Sequence, residues 1–212
     1  MSGTVFLAVA GNIGSGKTTL THRLEERLGL KGIYEETADN PYLADFYRDM
    51  RRWALALQLR FLAERVKKTK TLLLGGASVI QDRTCYEDAE IFAPNLHSRG
   101  DMDTRDWQTY RLLSEQLLDG LPPPSLLVYL RRSPMSCRTL IARRGREYEQ
   151  SIPKAYLADL GARYDDWFDR YARGPKLMVR AEDHDFLSSD ADLQYLVGRI
   201  TEALPQRVLP FE

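Results

Sequence analysis

The chain has 212 residues, 43% of them hydrophobic, and its 30 basic and 30 acidic side chains cancel to a formal charge of zero. That length suits one α/β domain with a sizeable core. The charge balance argues against a nucleic-acid coat or a membrane-surface protein. The longest apolar runs, Val5 to Ala10 and Leu126 to Leu130, are strand-length and too short to span a bilayer. The N-terminus lacks a basic region followed by a signal-like apolar stretch, so a cytoplasmic protein is expected. The two cysteines, Cys85 and Cys137, read as free thiols of a reducing compartment.

In chain order, the apolar run Val5 to Ala10 reads as a buried strand. It feeds Gly11-Asn12-Ile13-Gly14-Ser15-Gly16-Lys17-Thr18, which fits the phosphate-loop pattern G-x-x-x-x-G-K-S/T, and Thr19 to Leu28 reads as the helix leaving it. The glycines let backbone N–H groups curl around a polyphosphate, and a helix N-terminus favours negative charge. Lys17 is placed to reach the outer phosphates and the Thr18 hydroxyl to hold Mg²⁺. A short second strand is expected near Gly32 to Tyr34. Pro41 opens a helix to about Arg48. A longer helix follows to about Leu73, with Trp53, Leu57, Phe61 and Leu62 at helical spacing, and Gly75-Gly76 ends it. Its apolar stripe suits either the core or a contact with a second copy.

Ala77 to Gln81 reads as the third strand, and Tyr86 to Leu96 and Asp106 to Leu118 as helices. Pro122-Pro123-Pro124 halts the chain before a strand at Leu126 to Leu130. Pro134 opens a helix ending near Arg143, and Pro153 opens another reaching about Tyr171. Lys176 to Arg180 is the fifth strand and Asp190 to Leu204 the last helix. Strand–helix alternation predicts a parallel sheet covered on both faces. In such sheets ligands gather at the C-terminal ends of strands.

Chemistry-bearing residues stand at those ends. Glu35-Glu36 follow the second strand, and strand alternation points only one of the two inward. An inward carboxylate there suits a general base for a substrate hydroxyl. Asp82 closes the third strand as a partner for Mg²⁺, directly or through water, and Arg83 beside it suits a transferring phosphoryl group.

These residues lie in blocks that resemble one family. Glu35, Asp39-Asn40-Pro41-Tyr42-Leu43, Phe46-Tyr47, Gln58 to Arg65, Gln81 to Asp88 and Arg143-Arg144-Gly145-Arg146-Glu147-Tyr148-Glu149 look like the signature of the deoxynucleoside kinases, in order and across nearly the whole chain. The likeness is nearest to bacterial enzymes acting on deoxyadenosine and deoxycytidine. It implies a single-domain P-loop kinase fold over 1–212: a five-stranded parallel sheet, helices on both faces, and an Arg-rich lid at about 143–149. It implies phosphoryl transfer from ATP, with Mg²⁺, to the 5′-hydroxyl of a deoxynucleoside.

Residue by residue, the resemblance makes Glu35 the base, Arg83 its orienter and a phosphate contact, and Asp82 the acidic Mg²⁺ partner. Tyr47 and Glu149 match groups that hold the sugar 3′-hydroxyl. Gln58 and Asp88 match base readers with Arg65 beside them, and Phe92 a residue that stacks on the base. Arg144 and Arg146 match lid arginines over the phosphates, and Asp185-Phe186 the loop beside the ATP adenine. One departure stands out: Leu140 occupies the position of a further lid arginine, for which Arg143 or Arg138 are the substitutes at hand. The family is commonly a dimer, so a homodimer is expected, with neither membrane nor nucleic-acid polymer as partner. A deoxyguanosine kinase or a nucleoside-monophosphate kinase is the alternative. A nucleotide-switch GTPase is disfavoured, since the chain has no Asp-x-x-Gly and no Asn-Lys-x-Asp.

Overall fold

In a computed structural model, which describes residues 4–35, 40–186 and 188–204, five strands pair into one all-parallel sheet. The strands are β1 (Phe6–Ala10), β2 (Lys31–Ile33), β3 (Val79–Asp82), β4 (Leu126–Arg131) and β5 (Lys176–Arg180). Their spatial order is β2-β3-β1-β4-β5. The helices are α1 (Lys17–Leu28), α2 (Leu43–Arg48), α3 (Met50–Leu74), α4 (Cys85–Glu87), α5 (Ala93–Ser98), α6 (Thr104–Leu118), α7 (Pro134–Arg144), α8 (Lys154–Arg170) and α9 (Asp190–Ala203).

Alternation along the strands divides the core into two layers. Phe6, Ala8 and Ala10 of β1 pack on one face with Leu57, Phe61 and Leu62 of α3 and Leu157, Leu160 and Tyr164 of α8. Val5, Leu7 and Val9 pack on the other with Leu20 and Leu24 of α1 and Leu193, Leu196 and Ile200 of α9. The central strands are buried on both sides, which is why they read as unbroken apolar runs. β5 is an edge strand: Leu177 and Val179 face α9, whereas Lys176, Met178 and Arg180 are exposed. The α3 stripe is therefore core. No helix among the described residues is long and apolar enough to cross a membrane.

β3 inserts between β2 and β1, so the chain steps outward from β1 to β2 and back to β3. Right-handed crossovers then put the intervening helices on opposite faces, α1 on one and α3 on the other. The crevice opens at the C-terminal ends of β1, β2 and β3, where a ligand is expected.

Two differences from the sequence expectation bear on the site. The helix leaving the loop begins at Lys17 rather than Thr19, so Lys17 and Thr18 ride on its first turn. The helix expected over Tyr86 to Leu96 is not uniform. A π-helical turn, Asp88–Phe92, joins α4 to α5, closed by the Ala93 N–H donating to the Asp88 carbonyl five residues back. Such widened turns recur at functional sites. This one carries Asp88 and Phe92 onto the wall of the crevice.

Candidate active site

The crevice is a cleft that opens to solvent. It is lined at one end by Gly14, Lys17, Thr18 and Asp82, in the middle by Glu35 and Arg83, and at the other end by Gln58, Asp88 and Phe92. The loop 11–16 and α1 form the first end. Gly14 has φ +76°, and a Cβ there would lie 2.5 Å from the Cys137 carbonyl oxygen, so only glycine fits the turn. The Lys17 ammonium donates to the Asn12 carbonyl across the loop, 2.8 Å away. Asn12 fixes the loop in turn: its Oδ1 accepts from the Ile13 N–H and its Nδ2 donates to the Leu157 carbonyl, both at 2.8 Å. The buried Ser15 hydroxyl has no protein partner, and the first amides of α1 lack intrahelical acceptors by construction. Loop and helix end thus fit a polyphosphate.

The Thr18 hydroxyl meets the Asp82 carboxylate at 2.5 Å. Two hard oxygens side by side at the edge of a phosphate loop suit Mg²⁺.

Glu35 stands in the middle of a buried charge chain. Arg65 donates through one terminal nitrogen to Glu35 and through the other to both Asp88 oxygens, and Arg83 lies 3.7 Å from Glu35. Burial would push the Glu35 carboxyl up, but Arg65, Arg83 and Lys17 outweigh it and hold it below the usual range. Burial raises Asp88 to about 6 against the pull of Arg65, whose guanidinium donates to both of its oxygens as it would to a carboxylate. Arg83 donates to the Gly11 carbonyl at 3.4 Å and lies over the Phe92 ring, 4.4 Å from its centre. Phe92 thus lines the cleft and also supports Arg83.

At the far end the Gln58 Oε1 is buried with no partner in the protein, which leaves an acceptor for a ligand. Tyr47 and Glu149 lie on the cleft wall as expected. Burial, with Tyr156 and Glu149 nearby, pushes the Tyr47 hydroxyl well up, so it stays a donor. Arg144 and Arg146, at the end of α7 and just beyond it, both close on Glu149, at 2.7 Å and 3.4 Å.

Several expected contacts lie elsewhere. Arg65 is not on the main cleft wall; it stands behind Glu35 and Asp88 and fastens them together. Phe186 is buried in the α9 core layer, where it lies beside His184. Asp185 does not line the cleft; its N–H caps onto Asp192. Thr19 is exposed on α1. Neither substitute for Leu140 reaches the phosphate end: Arg138 donates to the Ile152 carbonyl and Arg143 is exposed. Glu36 and Asp39 lie outside the described residues. The sequence reading also missed Arg132, whose guanidinium donates to the Ser15 and Ala181 carbonyls and ties the phosphate loop to the turn after β5. Only its place directly after β4 could have signalled that role.

A phosphate loop, a Thr–Asp pair and a carboxylate between two arginines, set in one cleft of a doubly wound sheet, define a P-loop phosphotransferase. Comparison with known proteins narrows the class. Residues 7–205 match the deoxynucleoside kinase family model. The chain is 38% identical over 200 residues to the deoxyadenosine/deoxycytidine kinase of Bacillus subtilis, covering 93% of this chain and 92% of that protein. It is 34% identical over 209 residues to the deoxyguanosine kinase of Lactobacillus acidophilus, covering 94% and 91%. The solved structure of the M. mycoides deoxyadenosine kinase with bound dATP superposes with a TM-score of 0.83 at 25% identity, covering 93% of this chain and all of that one. The chain belongs to the deoxynucleoside kinase family. It is a transferase that phosphorylates deoxynucleosides.

Proposed function

We propose that the enzyme transfers the γ-phosphoryl group of ATP to the 5′-hydroxyl of deoxyadenosine, with deoxycytidine second and deoxyguanosine poor. The observation that carries this reading is the order of groups along the cleft. Glu35 lies 3.7 Å from Arg83, the neighbour of the Asp82 that meets Thr18, and Arg65 bonds it on its other side to Asp88, in the cleft that Lys17 and Gln58 also line. A nucleoside laid base-first against Gln58 presents its 5′-hydroxyl to Glu35 and, beyond it, to the phosphate loop. Glu35 then accepts the hydroxyl proton. Arg83 and the lid arginines stabilise the charge on the transferring group, and Tyr47 with Glu149 holds the 3′-hydroxyl. Thr18 and Asp82 would hold Mg²⁺, which supplies charge neutralisation between the donor phosphates.

Asp88 carries the base preference. Ionised, it only accepts hydrogen bonds, which suits an amino group such as adenine N6 or cytosine N4. Guanine puts a carbonyl oxygen where adenine has that group. Arg65, held by Asp88 and Glu35 together, is not free to turn toward it. A buried unpaired acceptor costs roughly 1–3 kcal/mol, a penalty of about five- to 150-fold in kcat/KM. The ratio of kcat/KM for deoxyadenosine over deoxyguanosine is therefore expected to exceed one in the native enzyme and to fall in Asp88→Ala. That variant also leaves Arg65 able to donate to a guanine oxygen. An unchanged ratio would remove Asp88 as the selector.

Lys17 gives a pH signature. Its ammonium is pushed down to about 8 by burial first and by Arg83 second, against Asp82, Glu87 and Glu35. A lowered lysine is charged below that value and neutral above it, and bound phosphate restores the charge. ATP affinity should therefore weaken as pH rises through about 8, with proton uptake on binding at the higher pH. Calorimetric titrations in buffers of different ionisation enthalpy measure both. A pH-independent affinity without proton uptake would contradict the placement of Lys17 against phosphate.

Leu112 and Leu113 of α6 are 62% and 41% exposed, next to α3. This pair supports a homodimer through α6, which light scattering checks. The buried free thiols Cys85 and Cys137 fit the reducing cytoplasm.

A further inference from the structure

We propose that Glu87 is a positioning residue for Arg83: it clamps the peptide that follows Arg83 and so holds this arginine's backbone in the one left-handed conformation that aims its guanidinium at Glu35. The proposal rests on the reading of Arg83 and Glu35 given above and extends it to a residue that touches neither substrate nor reacting atoms.

Arg83 has φ +65°, the only positive value of a non-glycine residue among the described residues. A side chain in this region is strained, and it persists where the surroundings over-determine it. Both flanking peptides are pinned. The Arg83 N–H donates to the Val9 carbonyl of β1 at 3.1 Å. The Thr84 N–H, which turns with the Arg83 ψ angle, donates to a Glu87 carboxylate oxygen at 2.7 Å. The other Glu87 oxygen accepts from the Tyr164 hydroxyl of α8 at 2.8 Å. Glu87 and Tyr164 are both fully buried. The clamp thus runs from α8 through a dry carboxylate to the residue that crosses from β3 into α4.

A carboxylate in this position is costly in two ways that a packing role would not require. Burial pushes its pKa up, against the pull of Arg83 and the Thr84 amide. A well-packed apolar side chain would also fill the space more cheaply. What only an acceptor provides is the bond to the Thr84 N–H, in which the N3 residue of a capping box reaches back to its N-cap. With that bond gone, the Arg83 ψ angle loses its constraint, and the guanidinium has no reason to stay between Glu35, the Gly11 carbonyl and the Phe92 ring.

Three variants test this by single-turnover phosphorylation with enzyme in excess, which registers slow residual rates. Glu87→Met keeps the volume and removes the acceptor; the rate should fall about tenfold or more, with the Kd for the deoxynucleoside within about twofold. Glu87→Gln keeps an acceptor for the Thr84 amide while its NH₂ donates to the Tyr164 oxygen, so it should retain the rate within about threefold. Arg83→Gly removes the guanidinium at a backbone angle glycine adopts without strain. In that background, adding Glu87→Met should change the rate less than about twofold, because coupled residues are non-additive. If Glu87→Met does not fold, Tyr164→Phe takes its place, with an expected loss of about threefold or more that likewise vanishes beside Arg83→Gly.

A folded Glu87→Met enzyme with native rate, or an equal loss with and without Arg83, would overturn the clamp while leaving Arg83 in its role. So would equal losses in Glu87→Met and Glu87→Gln. An Arg83→Gly enzyme with native rate would overturn the reading of Arg83 itself, and the clamp with it.

Discussion

Glu35→Gln is expected to lower kcat by about 10²–10⁴-fold while deoxynucleoside affinity changes far less. Gln keeps the shape and can still accept from Arg65, but it cannot take a proton. The charge chain explains why a carboxylate is suited to the task here. Arg65 and Arg83 hold Glu35 ionised in spite of its burial, and their bonds fix its orientation toward the cleft. A fixed, ionised base is present before substrate arrives, so the loss on mutation falls on the chemical step rather than on binding. Glu36→Gln is the internal control. If it is the damaging change and Glu35→Gln is mild, the base is the neighbouring carboxylate.

Lys17→Ala should abolish phosphoryl transfer with the fold intact, by on the order of a hundredfold or more, equivalent to about 2.7 kcal/mol of transition-state stabilisation. Among the described residues its ammonium donates to the Asn12 carbonyl within the same loop. Asn12 keeps its own ties to Ile13 and Leu157 without it, so the loop's course does not depend on the lysine. The ammonium's contribution lies instead in charge delivered to the donor phosphates in a buried setting. Near-normal turnover in a folded variant would remove the loop from the reaction. Circular dichroism and Tm establish that the variant is folded.

The sheet was legible because its central strands are buried on both faces and appear as continuous apolar runs. The helix bounds were legible because Pro134, Pro153 and the Gly75-Gly76 pair punctuate them. The phosphate loop carries its chemistry in its own spacing. What stayed hidden depends on depth and on partners distant in sequence. Gln58 and Arg65 share one face of α3, but spacing does not tell that one reaches the cleft and the other stands behind its wall. The π turn at Asp88 is a matter of backbone hydrogen-bond register, and side-chain periodicity does not encode it. No spacing in the sequence links Glu87 to Tyr164, 77 residues away, which donates to it. Phe186 reads as a loop aromatic beside a ligand, yet the layer under α9 buries it.

Phosphorylation of the four natural deoxynucleosides by ATP and Mg²⁺, compared by kcat/KM and with deoxyadenosine monophosphate as a control acceptor, tests the site most directly. The geometry of Glu35, Gln58 and Asp88 predicts that deoxyadenosine and deoxycytidine both outrank deoxyguanosine and that the product is the monophosphate. Deoxyguanosine in first place would contradict the role of Asp88, and phosphorylation of the monophosphate alone would contradict Glu35 as the base for a 5′-hydroxyl.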